Sequence, residues 1–229
     1  MKSLQKVRSI SKWIFIIPFI SVNVCLLIIT QFHQILVPGV PIDPTFPYFD
    51  GGVSISRTVR NYPMYLIFKP AMFLTSFLLI IYWINTKKIL FYFSEDKNDL
   101  NKITFFGIAS AIFLTIHSIF LGINIDNDFY KLLRRVVMLG FIIFEIIAQA
   151  YTIKNLLKIK EKIKPHINEK YLFFKKKLIT IIILSSIIIL PFLPFNNLKY
   201  LKHALEWNVF LGVIFFYLLT FLMWKKIKN

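Results

Sequence analysis

The chain has a single cysteine, only seven glycines, and 11 acidic residues among 229. With Cys25 alone, neither an intramolecular disulfide nor a zinc-thiolate site can form. The acids are outnumbered by 28 lysines and arginines, which sets the formal net charge at +17. That charge does not read as nucleic-acid binding, because the cations form no recognition motif and instead flank long apolar runs. No internal repeat is recognisable, so an inverted-repeat transporter is not favoured. The first apolar stretch is long and has no small-residue cleavage pattern after it, so it reads as a retained span rather than a signal peptide.

What the chain does have is apolar sequence, 57% of its residues, with a mean hydropathy of +0.65. Crossing a hydrocarbon core of about 30 Å takes roughly 20 apolar residues in a helix. Six segments come near that length: residues 13–36, 64–85, 103–122, 136–157, 178–195 and 207–224. The fifth is shortened by Pro191 and Pro194 at its far end. The expected fold is therefore all-α, one six-helix transmembrane bundle over residues 1–229. With the N-terminus inside, 20 of the 28 cations fall on the cytosolic side and seven outside, with Lys69 in the second span. This positive-inside bias puts both termini in the cytosol. Nine of the cytosolic cations lie between Lys154 and Lys177, read as a solvated, orientation-setting loop that also suits anionic lipid headgroups. The membrane is either a bacterial inner membrane or a eukaryotic endomembrane or plasma membrane.

The most informative segment is the outer loop, residues 37–62. Pro38, Pro41, Pro44 and Pro47 recur every third residue, the period of a polyproline II arm. Gly51 and Gly52 then permit a reversal, after which Ser54 is placed to cap a short helix with Ile55, Val59 and Tyr62 at i, i+4 and i+7. Such a helix turns Arg57 and Arg60 to lipid phosphates, and Pro63 suits the first turn of the second span. The loop is expected to act as a lid over the outer mouth of the bundle.

Ser54-x-Ser56, with Pro63 and Phe68 following before a span, resembles the P-x-I-S-D-x-G-x-x-P-P-x-x-x-F signature in the first outer loop of the Frag/DRAM/Sfk family. Glu206-Trp207 resembles the Glu-Trp pair that opens the last helix of many members. Where the family pattern has Asp and Gly, this chain has Arg57 and Val59, and Val53 stands where a proline precedes. The family covers autophagy modulators, GPI-anchor lipid-remodelling proteins and the N-terminal domain of the CWH-type cell-wall proteins. The resemblance implies a six-span protein acting in membrane-lipid or GPI-type anchor remodelling or lipid organisation, as the enzyme or as the partner of another membrane protein.

Ionisable residues within spans give a separate signal, since each is costly in hydrocarbon. Lys69, His117, His33, His203 and Glu206 share the outer third of the bundle with Asp50, Ser54 and Ser56 above; Glu145 lies near mid-depth. Read together, they form a pocket open to the outer leaflet, with Arg57, Arg60, Lys69, His203 and Asp50 as headgroup-binding candidates. A catalytic version uses His117 as general base, Ser54 or Ser56 as nucleophile, and Glu206 or Asp50 as the orienting carboxylate. A metal version would draw on His33, His117 and His203, but no diagnostic spacing supports it and no metal or cofactor is assigned. Each residue also has a plainer role: Lys69 snorkelling, His33 interfacial, His117 in an interhelical hydrogen bond, Ser54 a cap, and Glu145 paired or held neutral inside the bundle. The alternatives to lipid handling are a non-catalytic scaffold and a conduit lined by Lys69, His117 and Glu145. Nothing comparable to those three continues toward the cytosolic side.

Overall fold

The computed structural model describes residues 2–32, 44–94, 99–123, 127–189 and 196–226. His33, Pro38, Pro41 and the far end of the fifth span, residues 190–195, lie outside the described residues. The described chain is helical: α1 (Lys2–Gln31), the short α2 (Ile55–Arg60), α3 (Met64–Phe93), α4 (Leu100–Phe120), α5 (Asp128–Lys158), the one-turn α6 (Lys160–Ile163), α7 (Glu169–Ile189) and α8 (Lys199–Met223). Among the described residues there is no strand, only an isolated bridge between Ile167 and Trp224. Five helices, α1, α3, α4, α5 and α8, are long and apolar enough to cross a membrane, as in an integral multi-pass membrane protein.

These helices run past the apolar windows read from sequence. α1 begins at Lys2 rather than near Trp13, and α8 begins at Lys199, so Glu206-Trp207 sits in its third turn rather than at its start. The extra turns carry charge beyond the hydrocarbon and remain helical because lysine and glutamine are good helix formers. Phe77, Leu184 and Ile187 are among the large apolar side chains left exposed on the outside of the bundle. Where helices meet, small residues admit aromatic rings: a Cβ at Gly107 of α4 would overlap the Trp83 ring of α3, and one at Gly140 of α5 would press on Phe113.

Each end of the bundle is tied by its own contacts. At the termini end, Arg8 Nε donates to the Trp224 carbonyl (2.8 Å), and the Lys225 amide donates to the His166 carbonyl (2.9 Å). At the loop end, Trp207 Nε1 donates to the Val53 carbonyl (2.8 Å) and His203 Nδ1 to the Gly51 carbonyl (2.9 Å). Residue 166 thus lies at one end and residue 203 at the other. Lys175 on α7 is fully buried, which corrects its place among the solvated lysines of the 154–177 segment. Its Nζ donates to Thr220 Oγ1 (2.8 Å) and lies 3.9 Å from the Phe216 ring centre. The helical rise from Glu169 carries it about 9 Å into the bundle.

The 44–62 loop packs onto the loop end. Gly51 has φ +63, a conformation that suits glycine, and a Cβ there would overlap the Tyr200 carbonyl. Tyr48 packs edge-on against Trp207 (ring centres 4.9 Å apart), and Asn208 Nδ2 donates to the Tyr48 carbonyl (2.8 Å). Ser54 caps α2, its hydroxyl accepting from the Arg57 amide (3.2 Å). Ile55, Thr58 and Val59 form the buried face of α2, while Tyr62 is exposed and belongs to no helix. The expected i+7 position fails because α2 stops at Arg60: Asn61 is extended, and Tyr62 stands before a proline, where helix is disfavoured.

Candidate functional site

Two adjacent spaces lie beneath and beside α2. The outer one is a vestibule of about 490 Å³, open to solvent and lined by Ser54, Ser56, Arg60, His117, Lys131, Arg134, Arg135, Met138, His203 and Glu206. The inner one is a narrow cavity of about 80 Å³ between α1, α3, α4, α5 and α8, below the buried face of α2. Ser56, His117, Met138 and Glu206 line both. The vestibule is basic, with four guanidinium or ammonium groups against one carboxyl group.

The cavity is apolar by construction. Phe68, Met72, Thr75 and Leu79 form one stripe of α3, and Glu206, Val209, Phe210, Val213, Ile214 and Tyr217 one stripe of α8, each at helical spacing. From Glu206 to Tyr217 is about 16 Å at the helical rise, roughly half of a 30 Å hydrocarbon core. α1 contributes Ile14 and Pro18; the ring nitrogen of Pro18 cannot donate to the Ile14 carbonyl one turn back.

The floor carries a polar knot. Fully buried Glu145 of α5 accepts from Ser110 Oγ of α4 (2.6 Å), from Gln149 Nε2 (2.9 Å) and from the Tyr217 hydroxyl of α8. The Gly107 carbonyl lies 2.8 Å from Ser110 Oγ, an alternative acceptor for its single proton, and Gln149 also donates to the Val213 carbonyl (3.1 Å). Glu145 therefore joins three helices where the cavity ends. Toward the termini end the Tyr82 and Tyr217 rings pack edge-on (4.9 Å), and the Tyr82 hydroxyl lies 3.5 Å from Thr220 Oγ1, to which Lys175 donates.

At the mouth, α2 and α5 bring two guanidinium groups to one hydroxyl. Arg60 Nη2 donates to Ser56 Oγ at 3.0 Å and Arg134 Nη2 to the same atom at 3.5 Å. Burial, and then the neighbouring Arg134 charge, draw Arg60 below the ordinary arginine pKa. Among the described residues no carboxylate lies within ion-pair distance of Arg60, Arg134 or Arg135. Glu206, the carboxyl group that lines the same vestibule, forms no ion pair with any of them. Around this mouth three buried nitrogens have no hydrogen-bond partner among the described residues: Arg60 Nε, Arg134 Nε and His117 Nδ1.

Six of the nine sequence candidates thus line one space: Ser54, Ser56, Arg60, His117, His203 and Glu206. Three do not. Asp50 is held in a turn by Thr45 Oγ1 (2.5 Å) and the Phe46 (2.7 Å) and Gly52 (2.8 Å) amides; these bonds outweigh its slight burial and lower its pKa. Arg57 is exposed, and Lys69 reaches the Ile119 carbonyl (3.4 Å) over the Tyr65 ring. The hydroxyls of Ser54 and Ser56 are engaged by α2 and the arginines rather than by His117. Among the described residues no three His, Cys, Asp or Glu side chains converge to hold a metal. Sequence reasoning missed Lys131, Arg134 and Arg135, which stand at i, i+3 and i+4, one face of the first turns of α5; that spacing was the available signal. No family model, curated protein or solved structure matches this chain.

Proposed function

We propose that this is a six-span membrane protein, with both termini cytosolic, that takes a lipid from the non-cytosolic leaflet into the cavity beneath α2. Its role is in membrane-lipid or GPI-type anchor remodelling or lipid organisation, as the resemblance of its loop to the Frag/DRAM/Sfk signature implies. Six crossings are supported by the contacts at the two ends of the bundle: Arg8 meets Trp224 and Lys225 meets His166 at one end, while His203 meets Gly51 at the other. The observation that carries the lipid reading is a basic vestibule beside an apolar cavity about one leaflet deep, the two sharing Ser56, His117, Met138 and Glu206 as lining, which matches a polar headgroup joined to an acyl chain. Native mass spectrometry with lipidomics on the gently purified protein tests it. A lipid class should co-purify with wild type and be lost from Leu114→Trp, which fills the cavity; equal lipid content in both sinks the proposal.

A second reading, a conduit, has one observation in its favour. Tyr82, Thr220 and buried Lys175 extend the polar groups from Glu145 toward the termini end, where the sequence promised none. Ion flux in proteoliposomes that is abolished by Lys175→Met would favour this reading over lipid handling.

A further inference from the structure

The vestibule has more donors than its own acceptors satisfy. Arg60 Nε, Arg134 Nε and His117 Nδ1 are buried without partners among the described residues, on side chains whose residues line the same space. Buried polar nitrogens left unpaired are rare, and each calls for an account. Two guanidinium groups also converge on the neutral hydroxyl of Ser56 with no carboxylate beside them, a like-charge approach that favours an anion between them. Glu206 lines the same vestibule but forms no ion pair with either arginine among the described residues.

The missing group must carry negative charge and offer several acceptor oxygens in different directions. A sugar hydroxyl supplies no charge, whereas a phosphate supplies both and suits the planar fork of arginine. An apolar part is also favoured, since Ser56, His117 and Glu206 line the apolar cavity as well as the vestibule. We propose that the vestibule binds the phosphate of a glycerophospholipid, clamped by Arg60 and Arg134 with His117 as a third donor, while one acyl chain enters the cavity. This rests on the lipid-handling reading and adds the ligand's chemical class. It also gives Ser56 a role: its hydroxyl holds the two arginines in register for the phosphate.

The test is equilibrium binding to the purified full chain in detergent, using dioctanoyl phosphatidylglycerol, dioctanoylglycerol and inorganic phosphate as probes. Wild type should bind the phospholipid roughly ten- to a hundredfold more tightly than the diacylglycerol, the size expected for charge-assisted hydrogen bonds. Arg60→Gln combined with Arg134→Gln should remove that preference but keep the diacylglycerol affinity. Lys176→Gln, which removes an exposed charge on α7, should change nothing. Equal affinity for the two lipids in wild type, with both lost in Leu114→Trp, would overturn the phosphate assignment and leave the lipid reading standing. Tight binding of inorganic phosphate without binding of either lipid would overturn the lipid reading itself and show a soluble anion to be the ligand.

Discussion

Glu145 is the strongest point at which to test the packing account, because its partners differ in what they lose when it is removed. In Glu145→Leu, Ser110 has the Gly107 carbonyl as its alternative acceptor and Gln149 still donates to the Val213 carbonyl, so the Tyr217 hydroxyl is the donor left stranded. A stranded buried hydroxyl costs about 1–3 kcal/mol. For a chain of this length that lowers the melting temperature by roughly 2–12 °C, at about 2–4 °C per kcal/mol. Tyr217→Phe should cost about 0.5–1.5 kcal/mol, since Glu145 keeps two donors. With both changes together nothing is stranded, so the double variant should melt higher than the sum of the single shifts implies. A coupling of about 0.6–1.7 kcal/mol is expected for an interhelical bond in a membrane protein. Thermal unfolding of the four proteins in one detergent measures it. Strictly additive shifts would mean that no Glu145–Tyr217 bond holds α5 to α8.

Gly51→Ala forces a side chain into a positive-φ position and against the Tyr200 carbonyl, so the loop should lift from α8 and trypsin should cleave after Arg57 and Arg60 faster; unchanged digestion contradicts the docking. Lys175→Met removes an amine buried without a carboxylate partner, so the melting temperature should hold or rise, and a fall would mean that the amine is stabilising. Asp99 is held below the usual carboxylate pKa by its hydrogen bond to Lys154 (2.8 Å), against slight burial and with further help from Lys102. A depressed carboxylate stabilises fully above its unfolded value of about 3.9, and that contribution disappears as pH falls through the lower folded value. The stability gap between wild type and Asp99→Asn should therefore be present at neutral pH and close in acid; a gap that widens in acid has the wrong sign.

The helices were legible because hydrocarbon leaves little freedom: long apolar runs become long helices, and Ser54 beside Pro63 marks where α2 starts and α3 can begin. The place of His117 near the end of α4 was legible for the same reason, since the helical rise fixes position along a helix, whereas Glu206 lies two turns further into α8 than the apolar window suggested. Azimuth was not. Lys69 stands at the same level as His117 yet reaches Ile119 on another side of the bundle, and only the packing of α3 on α4 decides that. Arg134 and Arg135 were read as topology because charge at a span end serves orientation and ligand binding alike. Lys175 was read as solvated because its neighbours Lys176 and Lys177 are exposed, although one residue along a helix turns a side chain by about a quarter of a circle.

The central claim is that an acyl chain lies inside the bundle beneath α2, and photocrosslinking addresses it directly. The protein would be reconstituted with a phosphatidylglycerol carrying a diazirine near one acyl terminus, irradiated, and mapped by peptide mass spectrometry. The account predicts adducts at cavity residues such as Met72, Thr75 and Ile214, lost in Leu114→Trp. Adducts confined to outward residues such as Phe77, Leu184 and Ile187, and unchanged in that variant, would contradict it.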